Sequence, residues 1–106
     1  MIPQFAVYLN TNPATRADVP YLLDVQSDLL DGLGTCVVVP LYSERAMGGR
    51  AVGSLMPRFE VEGVSVVMVT PEMAGVPRRA LGRQVADLAG QRFEIIAALD
   101  LLISGI

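Results

Sequence analysis

A chain of 106 residues with a formal charge of −3 has room for one domain and one core, here taken as residues 1–106. It contains no histidine and one cysteine, which excludes Ser–His and Cys–His nucleophile pairs, histidine metal sites and intrachain disulfides, and its scattered arginines form no basic patch for nucleic acid. Apolar residues make up 52% and charged residues 18%, more apolar surface than so small a domain hides alone, so an interface is expected, most simply that of a homodimer.

The first two-thirds reads as β. Phe5–Leu9 is a short apolar strand that stops at Asn10–Thr11–Asn12–Pro13, the start of a polar loop running through Arg16 to Pro20. Tyr21–Gln26 follows as a second strand, and Asp31–Gly32–Leu33–Gly34 as a turn. Thr35–Tyr42 is the most buried-looking strand, because its β-branched Val37–Val38–Val39 run suits pleated packing. Pro40 has no N–H to give a ladder and points to an edge, a bulge or a bend. Cys36, in the same run, reads as a small buried hydrophobe.

Ser43–Arg50 reads as a connection. Arg58–Glu62 alternates polar and apolar residues, and Gly63 turns the chain into Val64–Thr70. Together they make a hairpin whose turn type the sequence leaves open. Beyond Pro77, residues Leu81, Val85, Leu88, Ile95, Leu99 and Leu102 recur at helical spacing, which predicts one terminal helix kinked near Gly90. From Ile95 to Ile103 only Asp100 is polar. A helix apolar nearly all round meets more than its own sheet. The fold expected is mainly β with a C-terminal α-helix, a small, partly open barrel. Met1–Gln4 lacks a signal-peptide pattern and no apolar run is long enough for a bilayer, so a soluble cytoplasmic protein is expected.

Five blocks in order resemble the CcdB family of toxins. Tyr21–Asp31 carries the Asp-Val-Gln-Ser-Asp signature, and Val39–Pro40–Leu41 is similar to the strand after it. Glu72–Pro77 and Val85–Leu88 resemble the lead-in and first turns of the terminal helix, and Gly105–Ile106 the family's last two residues. The resemblance covers essentially the whole chain, apart from a few extra residues between Leu9 and Tyr21. It implies a homodimeric SH3-like barrel, shared in architecture with MazF-type toxins. It further implies the toxin half of a type II toxin–antitoxin module, which binds the A subunit of DNA gyrase and traps its DNA cleavage complex. A CcdA-like antitoxin neutralises it. Such a toxin is no enzyme and has no catalytic residue, metal or cofactor.

The gyrase-contacting positions that the resemblance implies are Leu29, Leu30, Asp100, Ile103, Ser104, Gly105 and Ile106. Leu29 and Leu30 read equally well as strand-end core, and Gly105 as a simple helix cap. Arg16, Arg45 and Arg50, in predicted loops, are candidates for pairing with an acidic antitoxin tail. One departure stands out: many CcdB toxins carry tryptophan before the terminal Gly-Ile, and this chain has Ser104. In the family that indole is a principal gyrase contact, and truncating such a residue costs about 2 kcal/mol or more. One alternative is therefore a homologue that dimerises and binds antitoxin but no longer poisons gyrase. The other is a MazF/Kid-like mRNA endoribonuclease, for which Arg78 and Arg79 beside Glu72 would be the acid–base and phosphate-binding groups.

Overall fold

A computed structural model describes residues 4–50 and 53–105. Its strands are β1 (Ala6–Asn10), β2 (Tyr21–Asp24), β3 (Thr35–Ser43), β4 (Arg58–Val61), β5 (Val64–Met68), β6 (Ala74–Pro77) and β7 (Leu81–Asp87). Two α-helices, α1 (Glu44–Met47) and α2 (Arg92–Ser104), and several 3-10 turns complete it. All strand pairings are antiparallel. The sheet curls into a half-barrel in the order β4-β5-β3-β2-β1-β7, with β6 against β3.

β3 organises the sheet. Along one side it pairs with β2 from Tyr21↔Leu41 to Asp24↔Val38. Along the other, Thr35–Val38 pairs with β6 and Leu41–Ser43 with β5. Pro40 falls in the gap between those two partners, where a missing N–H breaks no ladder bond. The proline thus sits at the centre of the sheet, not at an edge. The β4–β5 turn is also settled. Val61 faces Val64, and Glu62 and Gly63 both have positive φ, 52° and 78°, which is the type I′ geometry that matches strand twist. The Tyr21 hydroxyl donates to the Glu62 carboxylate at 3.1 Å, tying this turn to β2.

The predicted terminal helix is half right. α2 spans only Arg92–Ser104; Glu72–Pro77 forms a 3-10 turn and β6, and Leu81–Asp87 is strand β7. The helical spacing of Leu81, Val85 and Leu88 has a physical source. β7 pairs with β1 through Ala6↔Asp87, Val7↔Ala86, Tyr8↔Gln84 and Asn10↔Leu81, with irregularities on both sides of Tyr8↔Gln84. Each irregularity slips the two-residue alternation, so Val85 and Ala86 both pack on the core and the strand period is lost.

Gly82 permits this approach. A Cβ there would lie 2.7 Å from the Leu9 carbonyl oxygen and 2.9 Å from Thr11 Cγ2. Backbone cannot yield cheaply, so Gly82→Ala is expected to destabilise the protein by about 1–3 kcal/mol in urea melts, as overpacking does. An unchanged midpoint would mean that β7 floats free of β1.

The core lies inside the curl. Val7, Leu23, Val39, Leu41, Val61, Val66 and Met68 cover its strand side, and Ile95 and Ala98 of α2 close it. Full burial of side chains of this size contributes about 1.5–3 kcal/mol each. α2 rests against Gly53–Leu55, Thr70–Glu72 and Ala89–Gln91. Its start is fixed by Arg92, whose guanidinium stacks 5.5 Å from the Phe5 ring and donates to Gln4 Oε1 at 3.2 Å. No described helix is long and apolar enough to cross a membrane.

Candidate protein-binding site

The segment between β2 and β3 is built by its own polar side chains. Asp24, 1% exposed, accepts the Gln26 N–H on Oδ1 at 2.8 Å. The Gln26 amide donates to the carbonyls of Leu30 (3.3 Å) and Thr35 (3.2 Å), and its oxygen accepts the Val37 N–H at 3.1 Å. Ser27 caps a 3-10 turn over Asp28–Leu30 by accepting the Leu29 N–H at 3.2 Å, and Asp28 accepts the Gln4 N–H. The Asp-Val-Gln-Ser-Asp run is therefore a turn-building device. Its product is Leu29 pushed out to 94% exposure, with Leu30 beside it at 48%. Neither is strand-end core, so the alternative reading of these two leucines is corrected.

Beneath the turn lies a buried polar group of Tyr8, Asp24 and Cys36, with the Arg78 charge near all three. Burial raises the Asp24 carboxyl, against the opposing pull of the Cys36 thiol, the Gln26 N–H and Arg78. Burial, then hydrogen bonding to Asp24, pushes the Cys36 thiol up to about 12. Cys36 is a buried hydrophobe with a weak donor, as its place in the Val run suggested, and is inert. Its folded value lies above its unfolded value, so its contribution to stability is complete below pH 9 and is lost as pH rises through 12. Between pH 9 and 10 stability is expected to fall more steeply in the wild type than in Cys36→Ala, where only the tyrosines, whose pKa values burial and carboxylate neighbours also raise, contribute a slope. Equal slopes for the two proteins would contradict this assignment.

The second feature is the end of α2. Ile95 and Ala98 face the core, whereas Asp100, Ile103, Ser104 and Gly105 are exposed, Ile103 to 71%. Gly105 is the helix cap, with φ 72° and its N–H donating to the Leu101 carbonyl at 3.0 Å. The Ser104 hydroxyl donates back to the Asp100 carbonyl at 2.8 Å, so it lies along its own helix. Ile106 lies outside the described residues. Leu29 and Leu30 stand on a different element from the helix end, and no hydrogen bond or ion pair among the described residues joins the two.

Phe93 was missed by sequence reasoning. It stands two residues before buried Ile95, a step of about 200° around the helix, and is 87% exposed. With Arg92, Ile96, Ala97 and Asp100 it lines a concavity of about 460 Å³ on the outer side of α2. The angular offset from Ile95 was the signal available.

The three candidate arginines are exposed but not equivalent. Arg16 lies in the Asn10–Pro20 loop. Arg45 belongs to α1 and not to a loop. Arg50 caps that helix, donating to the carbonyls of Met47 (2.9 Å) and Ala46 (3.1 Å). Of the groups considered for RNA cleavage, Glu72 and Arg78 are engaged elsewhere and Arg79 is exposed. Glu72 accepts the Tyr42 hydroxyl at 2.5 Å, while Arg78 donates to the carbonyls of Leu33 (2.6 Å) and Leu30 (3.3 Å).

A curled antiparallel sheet closed by a C-terminal helix defines a small SH3-like barrel protein, here with apolar side chains projecting from a turn and a helix end. The sequence model of the CcdB protein matches residues 4–105. The chain belongs to the CcdB family, the toxins of toxin–antitoxin modules.

Proposed function

We propose that this protein is a gyrase-directed toxin that binds the A subunit of DNA gyrase as a homodimer and traps the enzyme with its DNA cleaved. The observation that carries this reading is the exposure of Ile103 on the last turn of α2 in a chain of this family. Leu29, Leu30, Asp100, Ser104, Gly105 and Ile106 complete the contact set. The toxin works in the cytoplasm by binding alone, without a catalytic residue, metal or cofactor. It shifts gyrase toward the cleaved state only by as much as it prefers that state. A two-fold pair of helix ends suits a dimeric target. The exposed Phe93 supports the dimer, since an aromatic ring left in water is a typical interface residue. A CcdA-like antitoxin reverses the action. Arg16 and Arg45 are the arginines best placed for its acidic groups, because Arg50 is already engaged.

The back-bonded Ser104 favours one competing reading, a homologue that dimerises and binds antitoxin yet leaves gyrase unharmed. Incubation with gyrase, supercoiled plasmid and ATP, followed by protein denaturation, separates the two. Linear DNA with the wild type is the expected result. Linear DNA only with Ser104→Trp would mark an inert homologue. No linear DNA with either form, using the host's own gyrase, would remove gyrase as the target. RNA cleavage by the purified protein would then revive the endoribonuclease reading.

A further inference from the structure

We propose that Arg78 is a positioning residue whose forked guanidinium clamps the carbonyls of Leu30 and Leu33 and so fixes the 28–34 turn with Leu29 outward for a protein partner. Arg78 plays no part in the proposed gyrase contact. Its Nε donates to the Leu33 carbonyl at 2.6 Å and its Nη2 to the Leu30 carbonyl at 3.3 Å. Its own N–H donates to the Gly34 carbonyl at 3.1 Å. One residue, reaching back 44 positions or more, thus holds three carbonyls of a turn that is also supported by its local bonds, by Gln26 and by the Gln4 N–H on Asp28.

The third nitrogen, Nη1, is buried and has no hydrogen-bond partner among the described residues. Burial raises the pKa of Tyr8, Asp24 and Cys36, and the Arg78 charge acts inward against that rise. Asp24 is the carboxylate that opens the turn, through its bond to the Gln26 N–H. Arg78 therefore binds the turn's far end directly and compensates the buried acid at its near end. A planar fork is needed for the first task, whereas any cation serves the second. The two tasks can be separated by substitution.

The partner half of this inference rests on the gyrase reading; the clamp half does not. Arg78→Lys keeps the charge but loses the fork. Arg78→Gln loses both, and Asp24→Asn added to it removes the uncompensated acid. Hydrogen exchange reads the clamp without any partner. In both Arg78 single variants the Leu30, Asp31 and Leu33 amides, which donate to the carbonyls of Ser27, Asp28 and Leu30, are expected to exchange about tenfold faster or more, equivalent to roughly 1.4 kcal/mol of opening free energy. Amides of Leu23 and Val39 in the sheet remain as protected as in the wild type in Arg78→Lys. Affinity for the gyrase A subunit is expected to fall about tenfold in Arg78→Lys, with an unchanged thermal midpoint.

Unchanged exchange at Leu30 and Leu33 in a folded Arg78→Lys protein would overturn the clamp. Faster exchange with gyrase A affinity held within about twofold would overturn the positioning role. If Arg78→Gln fails to fold, its Asp24→Asn double variant and Arg78→Lys decide. If the wild type itself does not bind the A subunit, the gyrase reading falls together with the partner half, and the exchange data alone judge the clamp.

Discussion

Replacing Ile95 by alanine is expected to cost about 2–5 kcal/mol, a large share of the 5–15 kcal/mol that holds a small domain together. Ile95 is fully buried in a core cluster that it shares with strand residues from both ends of the chain. Its helix has little else to rely on. Gln91 at its start makes no side-chain capping bond. Thirteen residues is also a marginal length for a helix in water, so stability comes from the docked face. That face has only two fully buried members, and Ala98 is too small to hold it alone. The cavity left by Ile95→Ala has β-sheet on one side and helix on the other, and the sheet cannot collapse into it. Ile95→Val should cost about 0.5–1.5 kcal/mol, which makes the pair an internal control. Urea melts at one fixed protein concentration check both, since the proposed dimer would make stability depend on concentration. A loss below about 1 kcal/mol for Ile95→Ala would show that α2 is held from its outer side.

The strands were legible where their pattern is local. β1, β3, β4 and β5 follow from apolar runs and period-two alternation, and their ends moved by one or two residues. β7 was hidden because its pairing irregularities, not its residues, decide which side chains turn inward. Pro40 shows the same limit from the other side. Its lack of an N–H was readable, but the gap between β5 and β6 that accommodates it depends on strands distant in sequence. At the site, the apolar helix end could be read from Ile95–Ile103 directly. The outward turn of Leu29 could not, because two adjacent leucines after a strand pattern look like core. Asp24, Gln26 and Ser27 supply the hydrogen bonds that reverse that expectation, and Arg78 reaches the turn from β6's far end. A resemblance to a family locates such a signature without saying what its residues do; here they shape the backbone.

Aspartate in place of Ile103 is expected to weaken gyrase trapping by about thirtyfold or more, without disturbing the fold. The number comes from an interface anchor worth about 2 kcal/mol or more, at 1.4 kcal/mol per decade. An unpaired carboxylate pressed into an apolar contact adds a desolvation cost to the lost packing. Since Ile103 is mostly exposed in the chain itself, its own stability should change by no more than about 0.5 kcal/mol. Leu29→Asp provides the companion measurement. It lies on a different element, joined to the helix end by no described hydrogen bond, so it probes the second patch independently. If both patches touch gyrase in the same trapped state, each single substitution lowers trapping and the double variant adds the two losses. If Leu29→Asp lowers antitoxin affinity but leaves gyrase cleavage intact, the two patches divide the partners between them. Ile103→Asp trapping gyrase at wild-type concentrations would remove the helix end from the contact altogether, since no side chain so exposed and so altered can sit in a desolvated interface unnoticed.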